Sequence, residues 1–83
     1  MTENNLDKIV SINILKLMEA KNISQATLAK KLNRDKVTIN RWVNGTRTIS
    51  LRNLGEISKE LNVKPSILID PNTKIEKKII ISN

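Results

Sequence analysis

At 83 residues and 9.4 kDa the chain has room for one domain around one core, which excludes a large two-domain enzyme. It contains no Cys and no His, so disulfides, zinc fingers, thiol chemistry and imidazole acid/base catalysis are all missing. A net charge of +7 and a pI near 10.1 point to an anionic partner. That charge is concentrated. Residues 24–52 hold seven basic side chains (Lys30, Lys31, Arg34, Lys36, Arg41, Arg47 and Arg52) against the single acid Asp35, a net +6. The remaining residues are close to balanced and read as ordinary solvated surface.

One aromatic residue, Trp42, among abundant Leu, Ile and Val, with two Gly and two Pro, favours helices over a turn-rich β sandwich. Leu6, Ile9, Val10, Ile14, Leu17 and Met18 recur at helical spacing and predict a first core helix over Leu6–Lys21. Ser24 is an N-cap for a second helix, Gln25–Leu32, whose apolar stripe is Leu28, Ala29 and Leu32 and which Asn33 ends. Asp35 caps a third helix in which Ile39, Trp42 and Val43 face inward, and Gly45 closes it. Ser50 opens a fourth, with Leu51, Leu54, Ile57 and Leu61 inward and Asn62 at its end. Pro65 starts a brief fifth helix bearing Ile67, Leu68 and Ile69, stopped by Asp70-Pro71. Residues 74–82 then alternate Ile75, Lys77, Ile79 and Ile81 on one side, the period of a strand.

The expected fold is all-α: a compact five-helix domain over residues 1–71, its helix-turn-helix at about 24–44, and a 72–83 tail that admits a short C-terminal β-strand. The tail has two readings, a dimerisation strand or a packed or frayed end. No apolar run approaches the ~18 residues of a membrane span. The opening MTENNL lacks the regions of a signal peptide, so a cytoplasmic protein is expected.

Two short helices joined by a three-residue link, the second exposing polar residues, are the arrangement that lets one helix enter the DNA major groove. The stretch ISQATLAKKLNRDKVTINRWVNGTRTISLRNLGEISKELNV, residues 23–63, resembles the Cro/CI-type helix-turn-helix family, also called lambda-repressor-like or Xre. The resemblance rests on Ser24-Gln25, Leu28-Ala29, Leu32, Thr38-Ile39, Arg41, Gly45, Ser50-Leu51, Leu54, Ile57 and Leu61, in a register without gaps. It departs from the family at Asn33, often Gly, and at Arg34, commonly apolar, which predicts a slightly more open turn. It departs again at Met18 and Val43, where many members place an Arg–Glu ion pair. An apolar contact is expected there, since a buried pair exchanges for packed apolar groups at little net loss.

With Ile39, Trp42 and Val43 inward, the third helix turns Lys36, Val37, Asn40, Arg41 and Asn44 outward. Arg41 suits guanine O6 and N7, Lys36 the same acceptors, Asn40 adenine N6/N7 and Val37 a thymine methyl. The resemblance implies that Lys36, Val37 and Arg41 hold the main base-reading positions. Ser24 and Gln25, at the start of the second helix, suit a phosphate; helix-end capping is the other reading of Gln25 and Asn44. By resemblance Asn44, Thr46 and Arg47 grip the sugar-phosphate backbone, with Arg52 in reach of the same strand. Trp42 reads as core and not as a base-stacking residue.

The function expected is a sequence-specific double-stranded DNA-binding regulator, repressor-like and phage-like in its small size, that occupies an operator. The rival is a protein-interaction module of the same fold, an antirepressor or antitoxin. Binding to a membrane surface is disfavoured because no helix joins a basic face to a broad apolar one. No enzymatic constellation, cofactor motif, metal cluster or small-molecule effector site is legible. One recognition helix reads few base pairs, so a homodimer is expected. Ile67, Ile75, Ile79 and Ile81, in the densest apolar cluster outside the helix-turn-helix, are its expected contacts, formed by an antiparallel ribbon of residues 74–82.

Overall fold

The computed structural model describes residues 6–73. They form five helices: α1 Leu6–Lys21, α2 Gln25–Leu32, α3 Lys36–Asn44, α4 Leu51–Glu60 and α5 Pro65–Ile69. The all-α five-helix expectation therefore holds. The expected strand, with Ile75, Ile79 and Ile81, lies outside the described residues.

The boundaries have chemical causes. Ser24, Asp35 and Ser50 adopt extended backbone, and their side-chain oxygens accept the N–H groups of Thr27, Thr38 and Asn53 at 3.0, 2.9 and 3.1 Å. Each bond satisfies an amide that the first helical turn leaves without a partner. The four longer helices end alike. Asn22, Asn33, Gly45 and Asn62 take φ of 56°, 59°, 75° and 59°. The next N–H in each case, from Ile23, Arg34, Thr46 and Val63, donates to the carbonyl five residues back at 2.8, 2.9, 3.0 and 2.9 Å. This Schellman closure uses up carbonyls that would otherwise be orphaned. Ile23 and Val63 then fold onto the core, half-buried.

Gly45 is the one glycine among these four ends, and packing explains it. A Cβ there would stand 3.2 Å from the hydroxyl oxygen of Ser11 on α1. Asn tolerates the left-handed backbone at the other three ends.

The core joins Val10, Ile14, Leu17 and Met18 of α1 to Leu28, Ala29 and Leu32 of α2, Ile39, Trp42 and Val43 of α3, and Leu54, Ile57, Leu61 and Leu68 beyond. Each helix packs chiefly on two others, in the closed order α1, α3, α2, α4, α5 and back to α1. Met18 and Val43 are both buried in this cluster.

Two expected core positions are corrected. Leu6 is 46% exposed and Leu51 85% exposed. Both have the right angular register, but each is the first residue of its helix, and burial starts only at Val10 in α1 and Leu54 in α4. Periodicity reports angle around a helix, not depth along it.

Two polar residues stand in their place. Ser11 and Asn13 of α1 are buried. The Asn13 amide Nδ2 donates to the carbonyls of Ile67, Leu68 and Asp70 at 3.2, 3.0 and 3.1 Å. It thereby holds the C-terminal end of α5, a helix of five residues, against α1. The Thr73 hydroxyl adds a 2.7 Å bond to the Ile67 carbonyl, so the turn after α5 folds back on it. Among the described residues no helix is long and apolar enough to cross a membrane.

Candidate nucleic-acid interface

The link between α2 and α3 is residues 33–35, closed by the left-handed Asn33 and reopened by the Asp35 cap. Arg34 does not leave it loose. Its guanidinium donates to Asn53 Oδ1 at 2.7 Å and pairs with Glu56 Oε1 at 3.0 Å, tying the turn to α4. Where the family commonly places an apolar residue, this chain thus uses charge-assisted bonds to hold the turn. Arg34 is 33% and Glu56 45% exposed, so solvent screens the pair and it adds geometry more than stability.

The outward set on α3 is placed as expected. Ile39, Trp42 and Val43 are buried, whereas Lys36, Val37, Asn40, Arg41 and Asn44 are exposed. Val37 is 56% exposed, an unsheltered β-branched residue on the second position of the helix. Trp42 is core, but its indole Nε1–H is buried without a hydrogen-bond partner.

Side-chain amides connect the two helices. Asn40 Nδ2 donates to Gln25 Oε1 at 3.2 Å, and Asn40 Oδ1 accepts from Asn44 Nδ2 at 3.0 Å. This chain spans from the first residue of α2 to the last of α3. Ser24 is occupied as a cap: its oxygen accepts from the Thr27 N–H and its hydroxyl donates to Thr27 Oγ1, each at 3.0 Å. What the start of α2 leaves for an anion is the remaining first-turn N–H groups and the Gln25 amide.

At the other end of α3, Gly45 turns the chain and the Thr46 hydroxyl donates to the Arg41 carbonyl at 3.3 Å. Thr48 is held in turn by Asp7 of α1, its hydroxyl donating to Oδ2 at 3.0 Å. The loop carrying Arg47 is therefore anchored at both ends, with Arg47 and Arg52 exposed. Hydrogen bonds from the Thr38 hydroxyl and backbone N–H, with the charges of Arg41 and Arg47 behind them, hold the Asp35 carboxyl below its ordinary value. Asp35, Arg41 and Arg47 thus share one electrostatic neighbourhood.

The basic block divides. Lys31 and Arg34 line a shallow groove with Glu56, Lys59 and Glu60 of α4, where two acids offset most of the charge of three basic groups. Lys36, Arg41, Arg47 and Arg52 have no ion-pair partner among the described residues, where Arg34–Glu56 is the sole pair. Of the expected dimer contacts, Ile67 packs half-buried against the core beside the fully buried Leu68. The apolar residue that α5 turns outward is Ile69, 42% exposed. Ile75, Ile79 and Ile81 are outside the described residues.

Sequence reasoning missed Asn13, the Arg34 clamp and the Gln25–Asn40 bond, whose partners are far apart in the chain. The Asn40–Asn44 bond was available from its i, i+4 spacing. A helix-turn-helix family model matches residues 14–68, two-thirds of the chain, from Ile14 in α1 to Leu68 in α5. No curated protein and no solved structure matches it. With the turn, the caps and the outward polar face of α3 all inside that match, the chain belongs to the Cro/CI-type helix-turn-helix family of DNA-binding regulators.

Proposed function

We propose that the protein is a repressor-like regulator that occupies a double-stranded operator as a homodimer, laying α3 in the major groove. The observation that carries this reading is the split of α3: three residues buried in the core, and Lys36, Val37 and Arg41 turned outward on one unpaired face. Arg41 and Lys36 supply donors for guanine O6 and N7, and Val37 an apolar contact for a thymine methyl. Asn40, expected among the readers, enters with its amide already shared between Gln25 and Asn44.

The backbone contacts in this reading come from two sides. Gln25 and the amide groups at the start of α2, beside Ser24, take one phosphate. Asn44, Thr46 and Arg47 take another beyond the end of α3, with Arg52 alongside. Phosphate contacts of this kind fix orientation on the duplex, while base contacts choose the sequence.

Selection of bound sites from a random duplex library tests the proposal. A two-fold symmetric motif with half-sites about one helical turn apart is the expected result. Recovery of no enriched sequence would sink operator reading and favour the use of this fold as a protein-interaction module.

A further inference from the structure

We infer that Asn40 is a positioning residue and not a base reader: it joins Gln25 to Asn44 and so aims the amides of the backbone clamp. The inference rests on the reading that this face meets the duplex. A primary amide has two N–H donors and two acceptor lone pairs. Asn40 gives one donor to Gln25 Oε1 and one lone pair to Asn44 Nδ2.

The direction of this relay matters. Reversing any one of the three amides would set two oxygens or two NH2 groups face to face. With Oε1 engaged by Asn40, the Gln25 NH2 at the start of α2 keeps both of its hydrogens for another acceptor. A phosphate is purely an acceptor, so this is the end of the amide that it can use. Hydrogen bonds in a chain also polarise one another, which strengthens the terminal donor. At the other end Asn44 retains one N–H, on the last residue of α3 and next to the loop that carries Arg47. One uncharged side chain in the middle of α3 therefore sets both ends of the clamp at once.

A positioning residue and a reader fail differently. In Asn40→Ala the two amides lose their orientation, so affinity for the duplex recovered by selection and for random duplex should fall together, by roughly 3- to 10-fold. Base preference at every position should be unchanged, and so should the salt slope, because no charge is removed. Added to a variant that already carries Gln25→Ala and Asn44→Ala, Asn40→Ala should cost little more, because both amides it aims are gone. Asn40 is exposed, so the melting temperature should hold and confirms that binding is what is measured.

Relaxed preference for adenine at one position per half-site would make Asn40 a reader and overturn the inference, as would unchanged binding to both duplexes. Arg41→Ala is the control for the underlying reading. If Arg41→Ala changes base preference while Asn40→Ala changes nothing, only the inference fails. If neither variant affects binding, the assignment of this face to DNA fails and takes the inference with it.

Discussion

Arg41 and Arg47 carry the same charge six residues apart, yet they should fail differently. Arg41 stands on the exposed face of α3 beside Lys36 and Val37, while Arg47 lies past Gly45 in the loop anchored by Thr46 and Thr48. Arg41→Ala should cost about 1 to 3 kcal/mol on the selected site and relax preference at one base position per half-site. Arg47→Ala should weaken all sequences alike and flatten the salt slope by about one unit. Quantitative binding across a set of single-base variants separates the two, and interchanged profiles would show the assignments reversed. Trp42 belongs to the fold. Truncation to Ala should cost about 3 to 5 kcal/mol in denaturant unfolding, as for other buried Trp residues. Trp42→Phe should cost well under half of that, because it keeps an aromatic ring in the site and removes the indole N–H that has no partner. A Trp42→Phe variant as damaged as Trp42→Ala would show that the N–H is satisfied after all. The outward side chains of α3 were legible because one buried stripe fixes every other angle on a helix. Asn13 and Arg34 were not, because their partners lie 54 to 57 and 19 to 22 residues away and no local pattern announces them.

At the scale of the element, the helix ends decide the geometry of the helix-turn-helix. Capping chemistry is local, so Ser24, Asp35 and Ser50 announced three of the helix starts, and Asn33, Gly45 and Asn62 three of the ends. What could not be read locally is which of these ends is crowded. Asn33 and Gly45 share the left-handed backbone, and at Gly45 an α1 side chain stands 3.2 Å from the place of a Cβ. Gly45→Ala should therefore lose about 1 to 2 kcal/mol to backbone strain alone, with the crowding of Ser11 added. Asn33→Gly should change stability by less than about 1 kcal/mol, since Gly is the residue most at ease there. Combining Gly45→Ala with Ser11→Ala isolates the packing part: unfolding midpoints should recover partially, and full recovery would mean that the backbone carries no strain. The same distinction explains Leu6 and Leu51. Both match the apolar period, and both fall in the opening turn of a helix, ahead of the point where its neighbours cover it.

At the scale of the molecule, the closed ring of five helix contacts packs α3 on α1 and α2 and leaves Lys36, Val37, Asn40, Arg41 and Asn44 exposed. A single such face covers too few base pairs to select an operator, so the proposed function needs a second copy. Within the described residues the exposed large apolar side chains are Leu6 and the i, i+3 neighbours Ile12 and Leu15 on α1, Val37 on α3, Leu51 on α4 and Ile69 on α5. Single exposed apolar side chains, and one adjacent pair, are normal on soluble proteins and do not by themselves mark an interface. The sequence beyond the described residues adds Ile75, Ile79, Ile80 and Ile81 within seven positions. The proposed dimer contact therefore rests on residues 74–82, with Ile69 as its nearest exposed neighbour and Ile67 held by the core. The cut that tests this should fall after Thr73 and not after Pro71. Thr73 bonds the Ile67 carbonyl and Asn72 bonds Asp70 Oδ1, so a shorter chain would loosen α5 as well as remove the tail. A chain ending at Thr73 should keep its melting transition, sediment as a monomer at concentrations where the full chain is a dimer, and lose most of its advantage on the symmetric site over a single half-site. Affinity for random duplex should fall much less, because the basic face of α3 and the following loop is intact. If the shortened chain still sediments as a dimer, the contact lies among residues 1–73, and Leu51 and Ile69 become the positions to substitute next.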